Sequence, residues 1–296
     1  MSTFIDGVQF PEAPVLLPDG AHLFTEMSPA TGWILWVSRD GAERRVVART
    51  GRPNGLAPDG SGRFWVAETL NRALLRVDLA GTMEKIAGAG PDHPFLFLND
   101  LAFAPNGDLY LTDSGIDMEA FAPNGELNPQ WQSLAYDGRV YRVAANDHAV
   151  ATIARGLRFA NGIAFGPDRH LYVAETLTGS IHRFRWQDGR IQGAPEVYCN
   201  VIDPQGPQGL VGPDGMKFAA DGSLYVAVFG QACIAVVDTT GTVVRRIRTN
   251  GGWPTNLHFG EAGEGRIYVT EAQSGTVQIF DVGVDGCPLY HPKVRN

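Results

Sequence analysis

One short pattern recurs six times along this 296-residue chain, and it limits the folds that are open to it. Each copy has a polar anchor residue, an alternating apolar strand, a turn, and a second strand that ends in an acid in all but one copy. The anchors are Glu12, Asn54, Asn99, Asn161, Asp214 and, in the last copy, Thr255 or Asn256. A repeat of this kind indicates that each copy is one structural unit and that neighbouring units share a core.

The spacing of the anchors predicts a β-propeller. Successive anchors lie 42, 45, 62, 53 and about 41 residues apart, close to the ~40 to 50 residues of a four-stranded blade. A third alternating strand follows in the copies, as at 74–77 and 140–143, and a more polar fourth strand follows in most of them. We therefore expect an all-β, six-bladed propeller with four antiparallel strands per blade, formed as a single domain over residues 1–296.

Two segments depart from the repeat. The sixth copy lacks an evident fourth strand, and we expect residues 4–8 or the C-terminal tail to cover that sheet edge. An insertion at 114–138, which contains Pro123, Pro129 and Trp131, has no alternation. Long irregular segments in compact domains are usually functional or mobile. We interpret the insertion as a loop over the substrate site, with an ordinary surface excursion as the alternative.

Composition argues against several classes of partner. The chain has 24 basic and 32 acidic residues, a formal net charge of -8, which is the wrong sign for a protein that binds a phosphate backbone. The N-terminus lacks the basic and apolar regions of a signal peptide, and no stretch approaches the ~20 apolar residues of a spanning helix. We predict a cytoplasmic protein without nucleic-acid or membrane partners; the sequence does not indicate its oligomeric state.

The anchors predict a metal site. In a propeller the first strand of every blade lines the central channel, so the anchors should form a ring near its mouth. The ring combines the carboxylates of Glu12 and Asp214 with the carboxamides of the asparagine anchors, and hard divalent cations prefer such oxygen ligands. Asn-Gly and Asp-Gly pairs are also ordinary turn formers, but that alternative explains neither Glu12 nor the constant phase of the anchors.

Three other sets of polar residues occur near the anchors in the repeat. The acids that end the second strands recur in five copies, so we expect them to serve each blade by bonding the next blade or the following turn. Asp100 follows Asn99 on a strand and should point the opposite way. His258 could reach the channel as a base, or it could be a hydrogen-bonded histidine between blades. The recurring acids are Glu26, Glu68, Asp113, Glu175 and Glu271.

The most specific segments resemble a known family. They are Glu12-Ala-Pro, Leu98-Asn-Asp, Phe159-Ala-Asn-Gly and Gly212-Pro-Asp-Gly-Met. They resemble the senescence marker protein-30, gluconolactonase and luciferin-regenerating enzyme family, whose members are six-bladed propellers with one catalytic divalent cation at the channel mouth. Members hydrolyse lactones or, in some branches, phosphoester-type bonds. The resemblance covers essentially the whole chain.

This resemblance implies a set of site residues. The metal ligands would be Glu12, Asn161 and Asp214, with Asn99 as a fourth ligand or a substrate contact. The cation would polarise a lactone carbonyl, and Asp214 would be the general base for the attacking water. Ca²⁺ is expected first, and Mg²⁺, Mn²⁺ or Zn²⁺ would also suit an open oxygen site.

One position departs from the sugar-lactonase pattern. Family members that act on sugar lactones often carry an Arg two residues before the Asn of the Asn-Asp pair, and here that residue is Phe97. With Phe95 and Phe159, it could form an apolar mouth, although these aromatic residues could equally be core. We predict a small-molecule lactone less polar than an aldonolactone. The candidate substrate contacts are Asn54, Phe97, Asn99, Trp131, Trp253 and His258.

Two alternative functions fit the same residues. The oxygen cage could hydrolyse organophosphates, or the propeller could bind a ligand at its mouth without catalysis. Serine-hydrolase chemistry is disfavoured because the chain contains no Gly-x-Ser-x-Gly segment.

Overall fold

The protein is a six-bladed β-propeller, as the repeat predicts. The computed structural model describes residues 1–292 and arranges them mainly in six four-stranded antiparallel sheets. The last four residues of the expected domain, 293–296, lie outside the described part.

The first half of the chain forms blades one to three. The strands are β1 (Ser2–Asp6), then β2 (Pro11–Leu16), β3 (His22–Glu26), β4 (Trp33–Val37) and β5 (Arg44–Arg49) in blade one; β6 (Pro53–Pro58), β7 (Arg63–Glu68), β8 (Ala73–Asp78) and β9 (Met83–Ala87) in blade two; β10 (Leu98–Phe103), β11 (Leu109–Asp113), β12 (Gly138–Val143) and β13 (Val150–Leu157) in blade three.

The second half forms blades four to six. The strands are β14 (Ala160–Phe165), β15 (Leu171–Glu175), β16 (Ser180–Phe184) and β19 (Glu196–Asn200) in blade four, with the small hairpin β17 (Trp186–Gln187) and β18 (Arg190–Ile191) beside them; β20 (Gly212–Phe218), β21 (Leu224–Phe229), β22 (Cys233–Val237) and β23 (Val243–Arg248) in blade five; β24 (Pro254–Phe259), β25 (Arg266–Glu271) and β26 (Thr276–Asp281) in blade six.

Helical structure is sparse, as expected. The insertion contains one four-residue helix, α1 (Met118–Phe121), and the short 3₁₀ turns Pro123–Gly125 and Trp131–Ser133; another 3₁₀ turn is Thr176–Thr178. None of the helices in residues 1–292 has the length and apolar character to cross a membrane.

The N-terminal strand closes the ring. The sixth sheet has the order β1-β26-β25-β24, with Ser2 opposite Ile279 and Asp6 opposite Thr276. Of the two closures that the sequence left open, the N-terminal one is therefore present, and it uses residues 2–6 rather than 4–8. The tail instead runs over blade five, where the amide of Cys287 donates to the carbonyl of Phe218 over 2.8 Å.

Apolar side chains of adjacent blades form shared clusters. Leu74 of blade two and Leu98 of blade three are both fully buried in one such cluster. Burial of apolar area stabilises the fold by roughly 25 cal/mol per Å², so each blade depends on its neighbours for much of its core. This arrangement presses the six inner strands together around the axis.

A β-bulge or register shift lies at or just after the anchor in each inner strand. In blade three, Leu98 faces Asp113 and Leu101 faces Leu111, so Asn99 and Asp100 together face one residue. A bulge re-aims side chains that strict alternation would send to opposite faces. The irregularity recurs in all six blades.

The strand register also identifies the sixth anchor. Pro254 faces Glu271 as Pro53 faces Glu68. Thr255, the residue after Pro254, therefore takes the position that Asn54 holds in blade two. Asn256 lies one residue deeper along the strand.

Candidate functional site

The six anchors are buried at the N-terminal ends of the inner strands, where these strands come very close together. A Cβ atom on Gly162 would lie 2.2 Å from the carbonyl oxygen of Asp214, so only glycine fits between these two strands. This close approach brings the anchors of neighbouring blades side by side. The buried anchors are Glu12, Asn54, Asn99, Asn161, Asp214 and Thr255.

Glu12 is fixed through one of its two carboxylate oxygens. Its Oε2 accepts hydrogen bonds from the amide of Ala13 at 2.8 Å and from Nδ2 of Asn256 at 3.2 Å. Within residues 1–292, no hydrogen bond reaches Oε1. Burial, with a further contribution from the charge of Asp100, raises the pKa of Glu12 to about 7.

Asp214 lies close enough to Glu12 for the charge of Glu12 to affect its ionisation. Burial raises the pKa of Asp214 well above its ordinary value, and the charge of Glu12 raises it further. Two buried carboxylates that repel each other are costly unless a cation neutralises them. Among residues 1–292, no three His, Cys, Asp or Glu side chains are placed to hold a metal ion by themselves, so a cation here would also need the asparagine oxygens.

Asn161 presents its oxygen without a partner. Its Nδ2 donates to Oγ1 of Thr176 over 3.1 Å, and that hydroxyl donates to the carbonyl of Pro213 over 2.8 Å. The amide is thereby oriented, and its Oδ1 is buried with no hydrogen-bond donor among the described residues. A buried acceptor left unsatisfied costs about 1–3 kcal/mol. This oxygen is therefore available to accept a hydrogen bond or to coordinate a cation.

The other two asparagine anchors differ from each other. The Nδ2 atom of Asn99 donates to Oγ of Ser114 over 3.2 Å, and Ser114 donates to the carbonyl of Ala160 over 3.0 Å. Asn99 is therefore oriented in the same way as Asn161. The Nδ2 atom of Asn54 instead lies 3.4 Å from the carbonyl of Leu98, a weak bond that ties it to the next blade.

Asp100 is buried in the same charged network, contrary to the expectation from strand alternation. Its charge raises the pKa of both Glu12 and Asp214, and its Oδ2 lies 4.0 Å from Nζ of Lys217. The bulge after Leu98 is the physical reason, because it breaks the alternation at this residue. A second layer of polar side chains, formed by Asp100 and Asn256, thus lies below the anchors.

His258 forms a pair with His22 and has no hydrogen bond to Glu12 or Asp214. Its Nδ1 lies 2.6 Å from the carbonyl of Phe259 and its Nε2 lies 3.0 Å from Nδ1 of His22. Because a carbonyl only accepts, His258 carries its proton on Nδ1 and accepts from His22. Burial lowers the pKa of His258 to about 3 and that of His22 to about 4. This geometry matches the hydrogen-bonded alternative, and a substrate contact through His258 stays a prediction.

The aromatic candidates separate into different environments. Phe97 packs against Phe121 and Phe159, with ring centroids 6.4 Å and 5.4 Å away, in an apolar cluster that Trp131 borders. Trp253 is 40% exposed and stacks on Phe229 at 5.6 Å, outside that cluster.

Phe95 is core, fully buried against Tyr141. The insertion packs on Phe97 through the ring of Phe121.

The acids that end the second strands bind backbone amides within their own blades. Asp113 accepts from the amides of Leu96 and Phe97 before the inner strand and from Gly115 after the acid. Glu271 does the same with Trp253 and Ser274. The expected bond to the following turn is present, whereas the bond to the next blade is replaced by one to the loop that enters the same blade.

The orienting role of the hydroxyl residues that follow these acids was not predicted from the sequence. Ser114 and Thr176 orient the Asn99 and Asn161 amides, and Thr69 donates to the carbonyl of Leu98 over 2.8 Å. A signal was available, because Ser or Thr follows the acid in blades two, three and four. Asn256 was an alternative for the sixth anchor, but its bond to Glu12 was not foreseen. Lys217 left no comparable signal, since no other blade carries Lys at the matching position.

Comparison with known proteins places this chain in a family. Residues 10–273 match the model for the SMP-30/Gluconolactonase/LRE-like region. The chain belongs to this family. A gluconolactonase of Zymomonas mobilis is 27% identical over 278 residues, which cover 87% of this chain and 75% of that protein. Diisopropyl-fluorophosphatase of Loligo vulgaris is 29% identical over 250 residues, which cover 81% of this chain and 75% of that protein.

A solved structure extends the family relationship to the fold. A luciferin-regenerating enzyme superposes with a TM-score of 0.82 and 18% identity over 99% of each chain. The family fold therefore extends over nearly the whole of this chain, including the insertion and the closing strand.

Proposed function

We propose that this protein is a divalent-metal-dependent hydrolase that opens the ring of a lactone. The supporting observation is the buried, unpartnered Oδ1 of Asn161 near two buried carboxyl groups, Glu12 and Asp214, whose pKa values are both raised. The relative from Zymomonas mobilis is a gluconolactonase, which favours lactones among the substrates that such a site accepts.

The donor set fits a hard divalent cation. Glu12, Asn161 and Asp214 would hold it, with Asn99 as the fourth ligand or as a contact to substrate. Two carboxylates balance the charge of a divalent cation, and amide oxygens add ligands without charge. Ca²⁺ suits this set best, and Mg²⁺, Mn²⁺ or Zn²⁺ are the alternatives. When bound, the cation supplies Lewis-acid polarisation of the lactone carbonyl.

Asp214 is the group we assign to proton transfer. A cation at the anchors would hold this carboxyl ionised at neutral pH, and an ionised carboxylate can act as a general base. It accepts a proton from water as the water oxygen bonds to the carbonyl carbon. The ring C–O bond then breaks, and its oxygen takes up a proton. The products are a hydroxyl and a carboxylic acid, and the acid releases one proton at neutral pH.

The surroundings favour an apolar lactone. Phe97, Phe121 and Phe159 belong to one apolar cluster, and Phe97 stands at the position where, by the family resemblance, sugar lactonases often carry an Arg. We assign the insertion at 114–138 as the cover of the site, since its Phe121 belongs to this cluster. Asn54, Asn99, Phe97, Trp131, Trp253 and His258 are the proposed substrate contacts.

The deciding experiment measures proton release from a panel of lactones that runs from aldonolactones to alkyl and aryl lactones. The protein is first stripped with a chelator and then given single metals. We expect turnover only after a metal is restored, and faster turnover of the alkyl lactones. Folded protein that opens no lactone with any metal would exclude this function, and equal turnover of sugar and alkyl lactones would exclude the apolar preference.

Organophosphate hydrolysis is the second candidate. Its specific support is the similarity to diisopropyl-fluorophosphatase over 81% of this chain. Fluoride release from diisopropyl fluorophosphate by the metal-loaded protein tests it directly. Activity on this compound without lactone hydrolysis would favour this candidate, and inactivity on both would favour a ligand-binding propeller.

A further inference from the structure

A cavity lies at the end of the channel opposite the anchors. Its volume is about 670 Å³, within the ~300–1,000 Å³ range of small-molecule sites. Its walls are the far ends of the inner strands, with apolar residues such as Val15, Leu56 and Phe165, and the tail at 286–291. None of the six anchors lines it, so it is distinct from the candidate metal site.

One ammonium group faces this cavity from the inside. Lys217 lines the cavity and its side chain is 21% exposed. The carboxylate Oδ2 of Asp100 lies 4.0 Å from it, which is too long for a hydrogen bond. Glu12 is also near enough for the ammonium charge to offset part of the rise in the pKa of that carboxyl. The ammonium has three N–H donors, and no acceptor among the described residues is within hydrogen-bonding distance of it.

The other polar groups of the cavity are already engaged or lie at its rim. Both ring nitrogens of His258 have partners. The carboxylate of Asp285 accepts from the amides of Gly263 and Gly265. Asp19 and Arg63 are exposed. Lys217 is therefore the charged group in the cavity whose N–H donors are free to bind a ligand.

From these observations we propose that the cavity binds an apolar monocarboxylate, with its carboxylate on Lys217 and its hydrocarbon part against the aliphatic and aromatic walls. A monocarboxylate supplies the missing acceptor with only one negative charge. A phosphate or dicarboxylate would add a second charge beside Asp100 and Glu12, which already face this ammonium. A neutral hydrocarbon would leave the ammonium without an acceptor.

Isothermal titration calorimetry with octanoate tests this proposal. The protein is kept in chelator so that the carboxylate cannot bind a metal at the anchors. The neutral comparison ligand is octan-1-ol, which has the same chain length and no charge. We expect one octanoate site per chain and an affinity for octanol at least about tenfold lower, because a charge-assisted hydrogen bond contributes more than a neutral one.

Two variants locate the site. Lys217→Met keeps the length of the side chain and removes the charge, and it should weaken octanoate binding about tenfold or more while leaving octanol binding unchanged. Ala57→Leu adds bulk to the cavity wall and should weaken both ligands. Thermal melting confirms that each variant is folded.

Each contrary result overturns the proposal in a different way. No octanoate binding to folded wild-type protein excludes the site. Octanoate binding that survives in both variants places the ligand elsewhere. Equal losses for octanoate and octanol in Lys217→Met exclude the charge pairing. All three results are independent of whether the anchors hydrolyse lactones.

Discussion

The Nδ2 atom of Asn256 donates a hydrogen bond to Oε2 of Glu12 over 3.2 Å and so joins the last inner strand to the first. Asn256 occupies space that Gly215 leaves open, since a Cβ atom there would lie 2.0 Å from Cγ of Asn256. The candidate ligand in blade one is thus positioned from blade six, which itself depends on a glycine in blade five.

Glu12→Gln should weaken metal binding while the fold is kept. The substitution preserves shape but removes one of the two negative charges that would balance a divalent cation. We expect reduced metal content after dialysis, measured by atomic emission. Glu43→Gln, at an exposed position, is the matched control. Unchanged metal content in Glu12→Gln would refute the assignment of Glu12 as a ligand.

Asp214→Asn should abolish hydrolysis at saturating metal. The amide cannot accept the proton from water, and loss of a general base typically lowers the rate by about 10² to 10⁴. Turnover is measured by proton release, and circular dichroism confirms the fold. Substantial turnover in the metal-saturated variant would remove Asp214 from the role of base.

A divalent cation should raise the thermal stability of the stripped wild-type protein. A ligand at one hundred times its Kd stabilises the native state by about 2.7 kcal/mol, which corresponds to an increase in Tm of roughly 4 °C for a chain of this size. In chelator, Asp214→Asn should melt above the wild type, because it removes one of two buried, mutually repelling carboxyl groups. Differential scanning calorimetry tests both expectations. A lower Tm for Asp214→Asn than for the wild type, both in chelator, would contradict the second expectation.

Phe121→Ala should loosen the insertion without unfolding the propeller. Phe121 is buried against Phe97 and Phe159, so its loss removes the main aromatic contact between insertion and blades. We expect faster proteolytic cleavage within 114–138 and a higher KM for alkyl lactones. Leu127→Ala, at an exposed position of the same insertion, is the control. Equal cleavage of wild type and Phe121→Ala would show that the ring does not anchor the insertion.

The His22 and His258 pair should make the protein less stable as the pH falls from about 6.5 to 5. Both native pKa values, about 4 and about 3, lie below the unfolded value near 6.5. The unfolded chain therefore binds more protons in this window, and stability is lost as pH decreases. The loss is about 2 kcal/mol per imidazole by pH 5.

Urea unfolding of the Glu12→Gln, Asp214→Asn double variant at several pH values measures this loss, because the two carboxyl groups with raised pKa take up protons in the same window and would oppose it. His93→Gln, which alters an exposed imidazole, should leave the slope unchanged. A free energy of unfolding that is constant between pH 6.5 and 5 would show that the pair is not held neutral.

The propeller was predictable from the sequence because each blade repeats the same turn and strand pattern at nearly constant spacing. The ring of anchors was predictable as well, because each anchor holds the same position ahead of its strand. The position of Asp100 did not, because alternation assumes a regular strand and the bulge beside Leu98 is a property of the packed sheet. Likewise, Lys217 has no equivalent in the other blades, so periodicity carried no information about it.

The outermost strand of blade six also could not be chosen in advance. Residues 4–8 and the tail both offered apolar positions, and the choice depends on which segment reaches the free edge of β26 in the folded ring. The side-chain pairing of His22 with His258, from blades one and six, depends on the same closure.

The pairing of β1 with β26 has a consequence for how the chain is made. Its partners, residues 2–6 and 276–281, are separated by the other five blades, so a ribosome releases the first segment long before the second. Contacts so distant in sequence are slow to form, and the circle stays open until blade six has been synthesised. During that time Glu12 lacks Asn256, so the proposed metal site is complete only once the last blade has folded.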